Sequence, residues 1–273
     1  MSSSEVTQGS YQHGHHASVV ASHAKRTAET DAAFFLPHLK PGMRLLDIGC
    51  GPGSITVGLA KQIAPGMAIG IDPSVSVIET ARTLSSEVGV GNVIFESGSI
   101  YEPSFEDASF DAIFAHQVLQ HLDRPVVALE QVSRLLAPGG VVGARDVDWG
   151  STTFFPENEG MRRFLKLYGE LAQRNGGQAN AGRFMRRWFR EAGFKDVTIT
   201  TSTWSFANDA AVAEWAHTWA ERTLTSNIAA KSLEYGLASR SELESIADGW
   251  RVWGRDPDAV FCFAHTEIVA RPA

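Results

Sequence analysis

The chain has 273 residues, 44 % of them hydrophobic, and a formal net charge of −7. That length and apolar content predict a substantial core, arranged as one large α/β domain with insertions or as two small domains. The acidic balance, without a long run of Lys or Arg, argues against a nucleic-acid backbone or an anionic membrane as the partner and favours small molecules.

The cysteines and the apolar segments bear on where the protein works. Cys50 and Cys262 make no disulfide framework, which is typical of a reducing compartment. Residues 1–16 are polar and lack the apolar stretch of a secretory leader, and no apolar run approaches the ~20 residues of a membrane span. We therefore expect a soluble, cytoplasmic protein.

Strand and helix patterns alternate through the first half of the chain. Five strands are predicted, at residues 45–48, 68–71, 93–96, 110–115 and 141–145. Helices are predicted between them at residues 54–62, 75–88 and 126–136, the last ending at Pro138, Gly139 and Gly140. This alternation is typical of a doubly wound, parallel sheet that helices cover on both faces.

The second half keeps this rhythm but carries inserted material. A helix at residues 182–193 leads into a strand at 197–206, and a last strand is predicted at 260–270. Between these two strands lies a helical stretch rich in Trp and Ala. We therefore divide the chain into a core of residues 41–148, 183–207 and 257–273, an insertion at 149–182 and a helical lid at 208–256.

The most informative segment joins a buried strand to a glycine-dense turn. Gly49, Gly51 and Gly53 lack a Cβ, so the backbone can turn sharply and a ligand can approach its amides. The helix that follows presents its N-terminus to the same ligand. A dinucleotide fingerprint needs a third glycine where Ser54 stands, which argues against NAD. With Asp47 just before the turn, the segment predicts a cofactor pocket.

Asp72 ends the second predicted strand, about 19 residues after Gly53. An acid at that place in a nucleoside-binding α/β fold accepts hydrogen bonds from ribose hydroxyls. Alone, a glycine turn is often only a tight connection, and a strand-ending Asp is often only a helix cap. Their pairing favours a nucleoside cofactor.

Four segments carry a further signal: residues 45–53, 70–74, 109–115 with 117–122, and 134–140. Together they resemble the class I S-adenosylmethionine-dependent methyltransferases, in the small-molecule branch of the ubiquinone and menaquinone biosynthesis type. The resemblance covers about residues 40–145. It implies a Rossmann-like methyltransferase fold with a doubly wound, seven-stranded, mostly parallel sheet and an N-terminal helical flap over residues 1–40. It also implies S-adenosylmethionine as the cofactor.

The resemblance implies a role for each matching position. Asp47 and the glycine backbone would hold the methionine part of the cofactor, and Asp72 would take the ribose hydroxyls. The family has an Asp at the end of the third strand to reach the adenine amino group, whereas Ser99 stands there, followed by the Ile100 amide. The expected cofactor contacts are Tyr11, Asp47, Gly49, Cys50, Gly51, Gly53, Asp72, Pro73, Ser99, Ile100, His116 and Gln117.

His116 and Gln117 follow the fourth strand, at the ligand-binding edge of such a sheet. Three interpretations of His116 stay open: a general base, a wall of the methionine pocket, or a polar cap of the next helix. We take His116, His15 and Arg26 as the catalytic candidates and His121 as structural.

Residues 11–26 hold four of the nine histidines. No carboxylate or Cys lies close by at a metal-binding spacing, so no metal site is predicted. The resembling family uses this region as a flap over the cofactor. Tyr11, His15, His23 and Arg26 are therefore candidates to face the acceptor or the cofactor carboxylate.

Aromatic residues crowd the insertions, and most are expected in the core because large rings are normally buried. A few should line a cavity, since methyl transfer needs water excluded around the sulfonium. Arg145, Asp146 and Asp148 follow the fifth strand and either open onto the acceptor side or form surface salt bridges. The aromatic residues concerned are Trp149, Phe154, Phe155, Tyr168, Trp204, Trp215, Trp219, Trp250 and Trp253.

Methyl transfer from a sulfonium mainly requires that the nucleophile and the methyl group be aligned. The His and Arg residues near the expected pocket favour O-methylation of a small molecule at a carboxylate or hydroxyl, in secondary or quinone-like metabolism. N- or C-methylation stays open, as does a cofactor-binding protein that catalyses another reaction such as a cyclisation. A nicotinamide-dependent oxidoreductase is opposed by the absent third glycine. The N-terminal helix and the aromatic insertion are candidates for a homodimer contact.

Overall fold

The computed structural model describes residues 26–273, and one seven-stranded sheet organises them. The strand order is β3-β2-β1-β4-β5-β7-β6; β1 to β5 pair in parallel, whereas β7 runs antiparallel to β5 and β6. The prediction of a seven-stranded, mostly parallel sheet is therefore confirmed. The strands are β1 (Leu45–Ile48), β2 (Ala68–Asp72), β3 (Val93–Ser97), β4 (Phe110–His116), β5 (Leu136–Phe155), β6 (Asp196–Phe206) and β7 (Val260–Arg271).

Helices cover both faces of this sheet, because alternate residues of each strand face opposite sides. Leu45 of β1 packs in an apolar cluster with Ile55 and Leu59, whereas Leu46 packs in another cluster with Leu129. The described residues form nine α-helices: α1 (Ala28–Asp31), α2 (Ser54–Ile63), α3 (Val75–Glu87), α4 (Pro125–Leu135), α5 (Glu159–Arg174), α6 (Ala181–Glu191), α7 (Asp209–Thr225), α8 (Asn227–Glu234) and α9 (Arg240–Trp253).

The fifth strand differs most from its predicted bounds. A strand is predicted at residues 141–145, but β5 runs from Leu136 to Phe155 and its far end pairs with β7. Phe155 pairs with Val260, a partner far along the chain, so no local pattern marks the extension. Residues 149–155, expected to begin an insertion, are therefore strand. The bounds of the other predicted strands and of the four individually predicted helices agree with the observed ones to within two residues.

Helices α5, α7, α8 and α9 form a layer whose core is aromatic. Phe164 packs edge-on against Trp219 and Trp250, with ring centroids 5.0 and 5.2 Å apart. Edge-to-face packing of large rings restricts their relative positions. The same cluster includes Phe263 of β7, so the layer packs against the antiparallel end of the sheet.

Candidate active site

The glycine turn between β1 and α2 contains three residues in the left-handed region. Gly49, Gly51 and Gly53 have φ of 64°, 56° and 82°. A Cβ at Gly49 would lie 2.6 Å from a Val118 methyl group, and one at Gly53 would lie 2.7 Å from the Phe95 ring. Among the described residues, no atom lies within 4 Å of a Cβ placed at Gly51. Two of the glycines therefore permit tight packing, while no described residue fills the space at Gly51.

A cavity of about 500 Å³ opens at this turn, by the carboxyl ends of the parallel strands. One part of its lining, which we call the turn wall, contains Asp47, Gly49, Gly51 and Asp72. This is the ligand-binding edge of an open α/β sheet. The other part, which we call the aromatic wall, contains Trp149, Tyr168, Trp204, Trp215, Trp219 and Phe263.

Asp72 links the turns that follow β1 and β2. Its Oδ1 accepts a hydrogen bond from the Ser74 amide at 2.9 Å, and its Oδ2 accepts one from the Gly51 amide at 3.3 Å. The carboxylate therefore fixes the glycine turn relative to β2. The N-cap residue of α3 is Ser74, and no described side chain caps the amides inside this helix, so the helix-cap interpretation of Asp72 is wrong. Asp72 does line the cavity.

Asp47 lies at the base of the turn wall and is 2 % exposed. The Thr56 hydroxyl donates a hydrogen bond of 2.6 Å to its Oδ2. Burial raises the pKa of Asp47 to about 7, although the Thr56 hydrogen bond opposes the shift. An added cation near this carboxylate would favour its ionised form.

The structure brings most of the sequence candidates to one cavity. Gly53 and Ser99 lie outside its lining; the Ser99 hydroxyl accepts a hydrogen bond from the Tyr101 amide at 3.2 Å. Tyr11 and His15 lie outside the described residues. The candidates that line the cavity are Arg26, Asp47, Gly49, Cys50, Gly51, Asp72, Pro73, Ile100, His116 and Gln117.

His116 lies between two guanidinium groups. Its Nε2 is 3.2 Å from Arg145 Nη1, and its Nδ1 is 3.5 Å from Arg26 Nη1. Asp31 Oδ1 accepts a hydrogen bond from Arg145 at 2.9 Å and lies 3.6 Å from His116 Nε2. A guanidinium only donates hydrogen bonds, so it engages a ring nitrogen as an acceptor. A neutral imidazole has one acceptor nitrogen, so at most one of the two guanidinium groups donates to the ring. His116 lines the cavity, and its role there stays a prediction.

Arg145 and Asp146 are buried, at 2 % and 0 % exposure, so neither forms a surface salt bridge, and neither lines the cavity. Asp148 forms an ion pair with Arg183 at 2.6 Å and does not line the cavity either. Asp146 accepts hydrogen bonds from the Leu119 and Gln120 amides at 2.9 and 3.4 Å. Burial raises the pKa of Asp146 to about 7, against the effect of these backbone hydrogen bonds. Asp146 therefore anchors the short turn that follows β4. Residues of this turn form part of the cavity lining.

Several polar residues of the lining were not among the sequence candidates, among them Gln120, Arg222 and also His121, which was expected to be structural. Arg222 follows Trp215 and Trp219 on α7, and this helical spacing is the signal by which it can be found. The Arg222 guanidinium lies 5.2 Å from the centre of the Trp219 ring. Gln120 lies in a 3₁₀ turn, and no sequence pattern marks it.

Within residues 26–273, no group of three or more His, Cys, Asp or Glu side chains is arranged to hold a metal ion. In the same range, no helix is long and apolar enough to cross a membrane. The histidines at positions 13, 15, 16 and 23 lie outside this range.

Comparisons with known proteins agree with this geometry. A family model described as a methyltransferase domain matches residues 39–191. An uncharacterized methyltransferase of Schizosaccharomyces pombe is 32 % identical over 269 residues, which cover 95 % of each chain. An O-methyltransferase of Aspergillus sclerotiorum is 32 % identical over 161 residues, covering 58 % of this chain and 57 % of the relative. A solved cyclase structure matches 93 % of this chain and 80 % of its own, with a TM-score of 0.52 and 21 % identity.

The family model spans more than half of the chain, and the yeast relative matches nearly all of it. The strand order, the glycine turn and the acid at the end of β2 agree with the resemblance found in the sequence. The chain belongs to the class I S-adenosylmethionine-dependent methyltransferases.

Proposed function

We propose that this protein methylates an oxygen atom of a small molecule that binds against the aromatic wall. One observation carries the proposal: the same cavity is lined by the turn wall and by the aromatic wall. A methyl donor held at the turn and an acceptor held against the rings would therefore share one cavity. Alignment of two reactants in such a space accounts for much of the rate of a displacement at carbon.

The residues of the turn wall fit S-adenosylmethionine. None of residues 26–273 fills the space where a side chain of residue 51 would stand, so a ligand can approach the Gly51 backbone. The Asp72 carboxylate can accept hydrogen bonds from ribose hydroxyls, and Asp47 offers a buried carboxylate to a cationic group. When bound, the cofactor supplies an electrophilic methyl group.

The charges of the lining support an acidic acceptor. Among the described lining residues, the carboxylates are Asp47 and Asp72, both in the turn wall. The guanidinium groups are those of Arg26 and Arg222, and Arg222 is 4 % exposed. Buried positive charge favours a ligand with a carboxylate or a phenolate, and it opposes an ammonium. Such acceptors carry the nucleophilic oxygen that the proposal requires.

The aromatic wall contributes shape and excludes water. Trp149 stacks on Phe263 with ring centroids 5.0 Å apart, and Trp215 stacks on Phe263 at 6.0 Å. Trp149 and Trp215 are each 8 % exposed, and Phe263 is 2 % exposed. Rings fixed in this way keep the approach to the methyl group dry, which strengthens the electrostatic interactions inside the cavity.

A methyl-transfer assay tests the proposal directly. The enzyme is incubated with methyl-labelled cofactor and a panel of small carboxylic acids, phenols and amines, and labelled products are identified by mass spectrometry. We expect label on an acid or a phenol. Label on amines alone, or on carbon alone, would contradict O-methylation.

Arg222 offers a variant for the same assay. Arg222→Met keeps an unbranched side chain but removes the charge, so we expect a higher KM for an acidic acceptor and little change in the affinity for S-adenosylhomocysteine. Lys166→Met, on the exposed face of α5, serves as the matched control. An unchanged KM in Arg222→Met would show that the acceptor does not use this charge.

A further inference from the structure

Gln117 has an unusual conformation at the edge of the cavity. It follows β4 directly and has φ of 54°, a value that residues other than glycine adopt infrequently. Its amide donates a hydrogen bond of 2.7 Å to the Arg145 carbonyl, and its side-chain Nε2 lies 2.8 Å from His265 Nε2. The backbone of Gln117 is therefore held by β5 and its side chain by β7.

His265 is a fully buried residue in the middle of β7, opposite Val147 of β5 and Ser202 of β6. Its ring packs against Trp204 and Phe263, with centroids 4.6 and 5.2 Å away. Burial, together with two nearby arginine charges, lowers the pKa of His265 to about 2. The imidazole is therefore neutral at physiological pH.

The hydrogen bond between these side chains has a defined direction. The side-chain amide nitrogen of Gln117 can only donate a hydrogen bond, so His265 Nε2 is the acceptor. The proton of the neutral ring is then on Nδ1. Gln117 lines the cavity. Because its side-chain nitrogen donates to His265, its carbonyl Oε1 can accept a hydrogen bond from a ligand there.

The position of Gln117 indicates which part of the cofactor it meets. Ala115 of β4 pairs with Ile48 of β1, and the Cβ position of Gly49 lies 2.6 Å from Val118, the neighbour of Gln117. Gln117 therefore lies beside the turn that is expected to hold the amino-acid end of S-adenosylmethionine. A carbonyl oxygen in a cavity that Asp47 also lines is suited to an ammonium group.

We propose that His265 is a positioning residue, which orients the Gln117 carbonyl toward the ammonium of the cofactor's amino-acid end. The proposal rests on the proposed function, since it requires that the cofactor bind at the turn wall. Nothing in the local sequence of β7 links His265 to the glycine turn; the link arises from the sheet, which brings β7 beside β5.

Calorimetry with two ligands tests this role. S-adenosylhomocysteine carries the amino-acid end, whereas 5′-methylthioadenosine lacks it. We expect His265→Leu and Gln117→Leu each to weaken S-adenosylhomocysteine binding about tenfold, the loss expected for a hydrogen bond to a charged group. Both variants should bind 5′-methylthioadenosine as the wild type does. The double variant should lose no more than Gln117→Leu alone, because His265 acts through Gln117.

His265→Gln is the conservative control, since its carbonyl can accept the same hydrogen bond and should restore binding. If His265→Leu does not fold, His265→Asn, whose amide is too short to reach Gln117, takes its place. Equal losses for both ligands, additive losses in the double variant, or unchanged S-adenosylhomocysteine binding in His265→Leu would overturn the proposal. A wild-type protein that binds neither ligand would instead contradict the proposed function.

Discussion

Two carboxylates at this site, Asp72 and Asp146, have different roles because their surroundings differ. Asp72 faces the cavity and ties two turns together, with its oxygens accepting from the Ser74 and Gly51 amides. Asp146 is 0 % exposed and holds backbone amides of the turn after β4. Removal of the first should therefore change ligand binding, whereas titration of the second should change stability.

Asp72→Ala should weaken S-adenosylhomocysteine binding by about 1–3 kcal/mol, because ribose hydroxyls lose a hydrogen-bond acceptor in the cavity. Isothermal calorimetry measures this loss, and thermal unfolding shows whether the fold is retained. Asp258→Ala, at an exposed position, is the matched control and should bind as the wild type does. Unchanged affinity in Asp72→Ala would place the ribose elsewhere.

Asp146 makes stability depend on pH. Its folded pKa of about 7 lies above the ordinary value of an Asp, so the folded state binds more protons in the window between them. The contribution of Asp146 to the free energy of unfolding therefore falls as pH rises from about 4 to about 7. The stability advantage of the wild type over Asp146→Asn should shrink across this window, by on the order of a few kcal/mol. Urea unfolding at several pH values measures it; a constant difference would contradict the raised pKa.

At the scale of elements, a buried ion pair attaches α1 to the sheet. Asp31, the last residue of α1, is 5 % exposed and accepts from Arg145 of β5 at 2.9 Å. Glu267 of β7 lies 3.4 Å from the Arg145 Nε, so the guanidinium has a second carboxylate nearby. The pair fixes both α1 and the side chain that contacts His116.

Asp31→Asn should lower the free energy of unfolding by about 3 kcal/mol, the lower end of the range for a broken buried pair, because Glu267 still faces Arg145. Denaturant unfolding measures the change. Glu191→Ala breaks an exposed pair with Arg187 on α6 and should leave stability nearly unchanged. Equal effects of the two substitutions would show that burial does not govern the strength of these pairs.

The elements that the sequence predicts best are those with local signals. The strand, glycine turn and helix around Asp47 are set by neighbouring residues, and their bounds agree with the structure to within two residues. The extension of β5 depends on pairing with β7, which a local pattern does not encode. The same holds for His265, whose contact with Gln117 joins residues 148 positions apart. Ser99 was placed by family position, yet its hydroxyl turns to the Tyr101 amide.

At the scale of the whole molecule, the charges of the cavity lining are divided between its two walls: the described carboxylates, Asp47 and Asp72, both lie in the turn wall. The chain carries a formal net charge of −7, yet the lining outside the turn wall contains Arg26 and Arg222 and no described carboxylate. The proposed acidic acceptor would meet these guanidinium groups rather than the carboxylates of the turn wall. The homodimer and the cytoplasmic location stay predictions from the sequence.

A crystal structure of the complex with S-adenosylhomocysteine tests most directly that one cavity serves both reactants. We predict that the ribose hydroxyls lie within hydrogen-bond distance of the Asp72 carboxylate and that the sulfur faces the aromatic wall. A nucleoside bound away from Asp72, or a sulfur directed away from Trp149 and Trp215, would contradict the shared cavity and with it the proposed methyl transfer.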